Sequence, residues 1–190
     1  MPSTPRLLRL APACCLLAAL LSGCAGLGGG PTAGTTASSQ ADDAAVRAAF
    51  SSLGFYPAVL APHVIRLDLP SNDGFASGSA ELQAPMQRTL DTVAGQFNSP
   101  LLRGWQLLVV GHADDRGSDT ENDTMSLARA SNVARHLVAR GTDPQRVRSE
   151  GRGEREPLAT NDRRYGRELN RRVELFLHLG PLPAGVTAPR

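Results

Sequence analysis

The apolar residues of this chain change period along its length, and that change limits the fold more than any other feature. Val64 to Leu69 alternates, with Ile65, Leu67 and Leu69 on one face, as a half-buried strand does. Trp105 to Val110 reads WQLLVV, a run that fits a central strand covered on both faces. Arg146 to Glu150 is a short strand, and Arg172 to Leu179 alternates through Val173, Leu175, Leu177 and Leu179. Between the first two strands Met86, Leu90, Val93, Ala94 and Phe97 form one helical stripe behind Pro85, a residue suited to a first helical turn. Between the second and third, Ser118-Asp119-Thr120-Glu121 reads as a capping box. It opens a helix that buries Met125, Val133 and Leu137 and stops at Gly141 and Pro144. The order β-α-β-α-β-β over residues 63–179 predicts an α/β fold. The expected form is a two-layer sandwich, a mixed four-stranded sheet with the helices packed on one face. Strand order does not follow from it.

What precedes this domain is of a different kind. Arg6 and Arg9 come before an apolar run from Leu10 to Leu21, shorter than the roughly 20 residues that span a bilayer but matched to a signal peptide. The run closes on Leu21-Ser22-Gly23-Cys24, which resembles a bacterial lipobox. Residues 1–23 are therefore expected to be a lipoprotein signal peptide and Cys24 the lipidated residue, anchored stably by two or more acyl chains. Ala25 stands where an Asp tends to retain enterobacterial lipoproteins at the inner membrane, which resembles an outer-membrane address. Residues 24–40 are expected to be the lipidated Cys and a flexible tether: AGLGGGPTAGTTASSQ has no charge and too little apolar surface to order itself. Its sixteen residues reach roughly 20–24 Å. Residues 41–62 form an N-terminal extension with a short helix from Asp42 to Leu53, ended by Gly54 and Pro57. Residues 180–190, with three prolines, are expected to be a loose tail.

Several functions are excluded. The three cysteines are Cys14, Cys15 and Cys24, so the domain has neither a disulfide framework nor a paired-cysteine metal site. The net charge of +2 includes Arg6 and Arg9; without the leader the balance is zero, which gives nucleic acid no basic face. Serial ten-residue alternating strands, as in a porin, are missing. No nucleophile with an activating base is recognisable, and no enzyme activity, metal or cofactor is expected.

The informative stretch is Gly111-His112-Ala113-Asp114-Asp115-Arg116-Gly117-Ser118, leaving the central strand for a helix N-terminus. Strand C-terminal ends are favoured ligand positions. Amides at a helix start favour an ionised Asp114. His112 and Asp114 offer two metal ligands without a third. Asn122, Ser126 and Arg129 are four and three apart and share a face, and helical side chains lean N-terminally, so Arg129 points back toward Asp114. An anionic acceptor beside a guanidinium fork suits a zwitterionic amino-acid centre. The same spacing equally allows an Asp114–Arg129 salt bridge that merely pins the helix.

Many motifs in order then resemble one family. They run Phe75-Ala76-Ser77-Gly78-Ser79-Ala80-Glu81-Leu82, Val110 to Ser118, and Asn122 with Ser126-Leu127-Ala128-Arg129-Ala130. They continue through Gly151-Arg152-Gly153-Glu154, Pro157 and Asn161 to Gly166-Arg167-Glu168-Leu169-Asn170-Arg171-Arg172-Val173-Glu174. The stretch resembles the OmpA C-terminal domain family, which includes peptidoglycan-associated lipoproteins. The resemblance implies a non-covalent grip on the diaminopimelate of peptidoglycan stem peptides. Asp114 and Arg129 would hold the ligand's amine and carboxylate, with Asn122 and Ser126 beside them. Ser77 and Gly78 would add backbone groups, and Arg172 is a further candidate. It also implies a protein anchored in the outer membrane, facing the periplasm and tethering that membrane to the wall. The alternative is a lipoprotein subunit of a secretion, motility or Tol-type envelope complex. Ala76 stands where many members carry an Asp, which argues against a Tol-type partner, and Ala113 replaces a common Thr.

Overall fold

The computed structural model describes residues 33–70 and 73–182. The leader, Cys24, the tether as far as Thr32 and the tail beyond Leu182 lie outside the described residues. Five strands form one open sheet: β1 (Ala58–Ala61), β2 (Val64–Pro70), β3 (Trp105–Gly111), β4 (Val147–Gly151) and β5 (Arg172–Leu179). Their spatial order is β1-β2-β5-β3-β4. β3 and β4 are parallel and the other neighbours antiparallel. The sheet thus has one strand more than the four expected. The extra one, β1, is a four-residue edge strand with mostly exposed side chains, so it carries no alternation to read.

Helices α1 (Ala33–Ser51), α2 (Ala84–Phe97), α3 (Asp119–Ala139) and α4 (Arg164–Asn170) complete the fold. Ile65, Leu67 and Leu69 of β2, Leu107 and Val109 of β3, and Val173, Leu175 and Leu177 of β5 share one core with Leu90, Val93 and Phe97 of α2. Ala130, Val133 and Leu137 of α3 complete it. Full burial of such a Leu or Phe contributes about 1.5–3 kcal/mol. The capping box at Ser118 and Glu121 forms in both directions, and Gly141 follows α3 with a left-handed φ of 91°. Met125, expected in the core, is only half-buried.

The N-terminal extension is integral to the folded unit. α1 begins at Ala33, inside the stretch expected to be tether and nine residues before the expected start. Its Val46 and Phe50 enter the core. The Asp43 carboxylate accepts the His63 N–H at 3.0 and 3.2 Å, fixing the turn between β1 and β2 where His63 takes a left-handed φ of 62°.

α3 lies directly on the sheet. A Cβ at Gly151 would come within 2.5 Å of the Leu127 amide nitrogen, and one at Gly111 would strike the Ser126 carbonyl oxygen. Two glycines, one on β3 and one on β4, therefore set the helix height, and with it the position of the loop that leads from β3 into α3. Among the described residues no helix is long and apolar enough to cross a membrane.

Candidate functional site

At the head of α3 a cleft of about 970 Å³ opens between two loops. One loop is the β3–α3 connection, which supplies Ala113, Asp114, Arg116 and Gly117. The other runs from Phe75 to Leu82 and supplies Phe75, Ala76, Ser77 and Gly78. It folds back on itself: Phe75 bridges to Leu82, the Ala76 amide donates to Glu81 O at 3.0 Å, and Gly78 turns with a φ of 64°.

Arg129 joins the second loop to α3. Its Nε donates to Ser79 O at 3.1 Å and its guanidinium carbon stands 5.3 Å from the Phe75 ring centroid. Asn132, one turn on, donates to Ala80 O at 2.5 Å. Burial lowers the Arg129 pKa, the Arg171 charge lowers it further, and Asp114 opposes both. A guanidinium stays cationic through such shifts. Arg129 is thus a buried cation at the cleft wall, pinned at one edge.

Asp114 is 6% exposed. Its Oδ1 accepts the Arg116 amide at 3.2 Å and its Oδ2 accepts Arg171 Nη1 at 2.5 Å. The carboxylate is therefore paired with Arg171, not with Arg129 as the helix-pinning reading required. A carboxylate accepts about four hydrogen bonds, so these two do not exhaust its capacity as an acceptor. Asn122 Nδ2 donates to Asp114 O at 3.0 Å and to Glu154 Oε2 at 2.6 Å, which fixes its orientation. Three cationic side chains (Arg116, Arg129, Arg171) and three anionic ones (Asp73, Asp114, Glu121) line the cleft among the described residues. That balance suits a zwitterion.

Asp114, Arg129, Asn122, Ser77 and Gly78 are brought together in this way. Ser126 and Arg172 are not. Ser126 is fully buried: its hydroxyl donates to Asp123 O and accepts the Gly153 amide, both at 3.0 Å, tying α3 to the turn after β4. Arg172 points to the other face of the sheet, where its Nε donates to Glu174 at 2.8 Å and its Nη2 to Glu156 O at 3.1 Å. The residue that lines the cleft is its neighbour, Arg171. Side chains alternate along a strand, so Arg171 shares the helix-covered face with Val173, Leu175 and Leu177. Continuing that alternation one step back was the signal for it.

His112 also leaves the site. It is buried on the sheet face opposite α3 with Nε2 3.2 Å from Glu174 Oε2, so it does not join Asp114. Among the described residues no group of three or more His, Cys, Asp or Glu could hold a metal. Burial raises the Glu174 pKa, but hydrogen bonds from His112 and Arg172 outweigh it and bring it from 4.5 down to about 2. A lowered folded-state pKa contributes stability above the unfolded value and loses it as pH falls. We expect about 2 kcal/mol to be lost through this group between pH 6 and pH 3. Denaturant melts of the wild type and Glu174→Gln across that range check it; the gap between them should close toward pH 3, and a constant gap contradicts it.

Residues 74–171, more than half of the chain, match a family model described as the OmpA family. The chain is 33% identical over 115 residues to outer membrane protein A of Bordetella avium, covering 60% of this chain and 58% of that protein. It is 32% identical over 101 residues to the peptidoglycan-associated lipoprotein of Pseudomonas aeruginosa, covering 53% and 58%. Each match therefore spans less than two thirds of the relative's own length. Among solved structures it is similar to the cell wall anchor of the T6SS from Pseudomonas aeruginosa, with 32% identity and a TM-score of 0.60, covering 72% of this chain and 96% of that chain.

Proposed function

The chain belongs to the OmpA family, and from that membership and the cleft at the head of α3 we propose that it binds peptidoglycan without cleaving it. Asp114 would take the ammonium of a stem-peptide diaminopimelate, and the free edge of the Arg129 guanidinium its carboxylate. Arg171 holds Asp114 in place and adds positive charge to the carboxylate end. Asn122 sets the loop, and Ser77 and Gly78 form the facing wall. The observation that carries this reading is that Asp114 and Arg129 line one open cleft while Asp114 is paired elsewhere, with Arg171. The resemblance to a protein named as a peptidoglycan-associated lipoprotein supports it. The test is co-sedimentation of the chain with purified sacculi, with and without free diaminopimelate. Binding that the free amino acid competes away is expected, and a protein left in the supernatant contradicts the reading.

We further propose that Cys24 carries the lipid and that the domain faces the periplasm from the outer membrane, tethering it to the wall. The mass of protein extracted from membranes should then equal the chain beginning at Cys24 plus acyl groups; an unprocessed or unacylated mass contradicts it. A second reading keeps the ligand and adds a machine, and the likeness to a T6SS cell wall anchor favours it. Recovery of a stoichiometric protein partner with the cross-linked chain would support that reading over a simple tether.

A further inference from the structure

A second groove, of about 760 Å³, adjoins the cleft: Asp73 and Pro85 line both. Its walls are Leu53, Phe55 and Tyr56 from the segment after α1, and Met86 with Thr89 from α2. Tyr56 is 94% exposed, yet its backbone is held in place. Gly54 turns with a φ of 86°, the Phe55 amide donates to Phe50 O at 3.2 Å, and the Phe55 ring meets Phe50 edge-on at 5.9 Å. The ring of Tyr56 is therefore presented beside the groove with its faces free for stacking.

The chemistry of the groove narrows the partner. Its charged lining among the described residues is Asp68 and Asp73, with no cation. Asp68 is already engaged by Arg66 at 2.9 Å. The groove therefore disfavours phosphates and carboxylates, in contrast to the arginine-bearing cleft beside it. An exposed ring, apolar walls and a carboxylate that accepts hydroxyl protons together suit a neutral sugar, whose C–H face stacks on the ring while its hydroxyls reach polar groups.

We infer that this groove is a subsite for the amino sugars of the glycan strand, continuous with the stem-peptide cleft. The inference rests on the reading of that cleft as the diaminopimelate site. Two stem residues separate diaminopimelate from the sugar, an extended span of about 7–10 Å, and the two grooves meet at Asp73 and Pro85. It also gives the N-terminal extension a part in binding, through Tyr56.

The test is calorimetric titration of the full chain with two probes. One is the free stem tripeptide ending in diaminopimelate; the other is the same peptide on its N-acetylglucosamine–N-acetylmuramic acid disaccharide. The disaccharide should tighten binding about tenfold, the equivalent of about 1.4 kcal/mol. Tyr56→Ala should abolish that increment and leave tripeptide affinity unchanged, and Tyr56→Phe should keep it. Equal affinity of the wild type for both probes, or an increment that survives Tyr56→Ala, overturns the subsite while leaving the cleft intact. Failure of the tripeptide itself to bind overturns the cleft reading and this one with it. A dimer in sedimentation that Tyr56→Ala converts to monomer would assign the groove to a second copy instead.

Discussion

Asp114→Ala and Arg129→Ala should each weaken binding of diaminopimelate-containing peptide by roughly ten- to over a hundredfold, because a charge-assisted hydrogen bond contributes about 1.5–3 kcal/mol. The two changes should differ in what they do to the fold. Asp114→Ala removes a carboxylate whose partners are Arg171 and the Arg116 amide, both at the cleft. Arg171 is 33% exposed, so water can take up much of its released charge and the loss falls mainly on the ligand. Arg129→Ala also releases Ser79 O and uncovers Phe75, so a stability loss of about 1 kcal/mol should accompany the binding loss. Arg129→Lys separates the two contributions. It keeps the charge but loses the planar fork that holds a carboxylate through two bonds, and should bind between the wild type and Arg129→Ala. Titration and thermal melting on the same three variants decide the matter. Near-wild-type binding by folded Asp114→Ala would remove the ammonium from this site.

The parts of this site visible in the sequence were those set by local spacing. Ser118 and Glu121 are three residues apart and cap one helix, so the start of α3 could be read directly. Asn122 and Arg129 follow from helical geometry once that start is fixed. The partner of Asp114 could not be read that way. Arg171 lies 57 residues on and reaches the cleft only because β5 inserts between β2 and β3, an order that periodicity does not determine. The closing motif as a whole points to Arg172 and does not separate it from Arg171, whereas strand parity does: Arg172 falls in the row of Glu174 and Phe176, on the opposite face.

The same distinction explains the fold. β2, β3 and β5 were legible because each buries an apolar face, and α2 because Leu90, Val93 and Phe97 make a stripe. β1 is an exposed edge, and α4 has seven residues with only Gly166 and Asn170 buried, so neither leaves a hydrophobic pattern. Asn170 holds α4 instead through polar bonds, accepting the Leu158 and Ala159 amides at 2.8 and 3.0 Å. Likewise the tether reading ended too late because α1 continues back through a small polar stretch, Ala33 to Ser39, whose composition alone argues for disorder.

Gly111→Ala should destabilise the domain by about 3 kcal/mol, the upper end of the usual cost of overpacking, although it adds a single methyl group. The group it would strike is the Ser126 carbonyl oxygen, and its next neighbours are also backbone atoms of Ser126. No side-chain rotamer can relieve such a contact; α3 itself must lift from β3. Lifting it would loosen Leu127 from Gly151 and the Ser126 hydroxyl from the Gly153 amide, because all three contacts hold the same turn of helix against the sheet. It would also move Arg129 relative to Asp114, so any folded fraction should bind diaminopimelate poorly. The control is the same substitution at Gly95, an exposed position within α2 where an added Cβ meets nothing within 4 Å. There alanine relieves only the helix-interior cost of glycine and should stabilise by about 0.5–1 kcal/mol. Chemical denaturation of the two variants therefore should move the midpoint in opposite directions. A Gly111→Ala protein with a wild-type midpoint would show that α3 does not rest on that glycine, and the glycine's place beside the site would then need another cause.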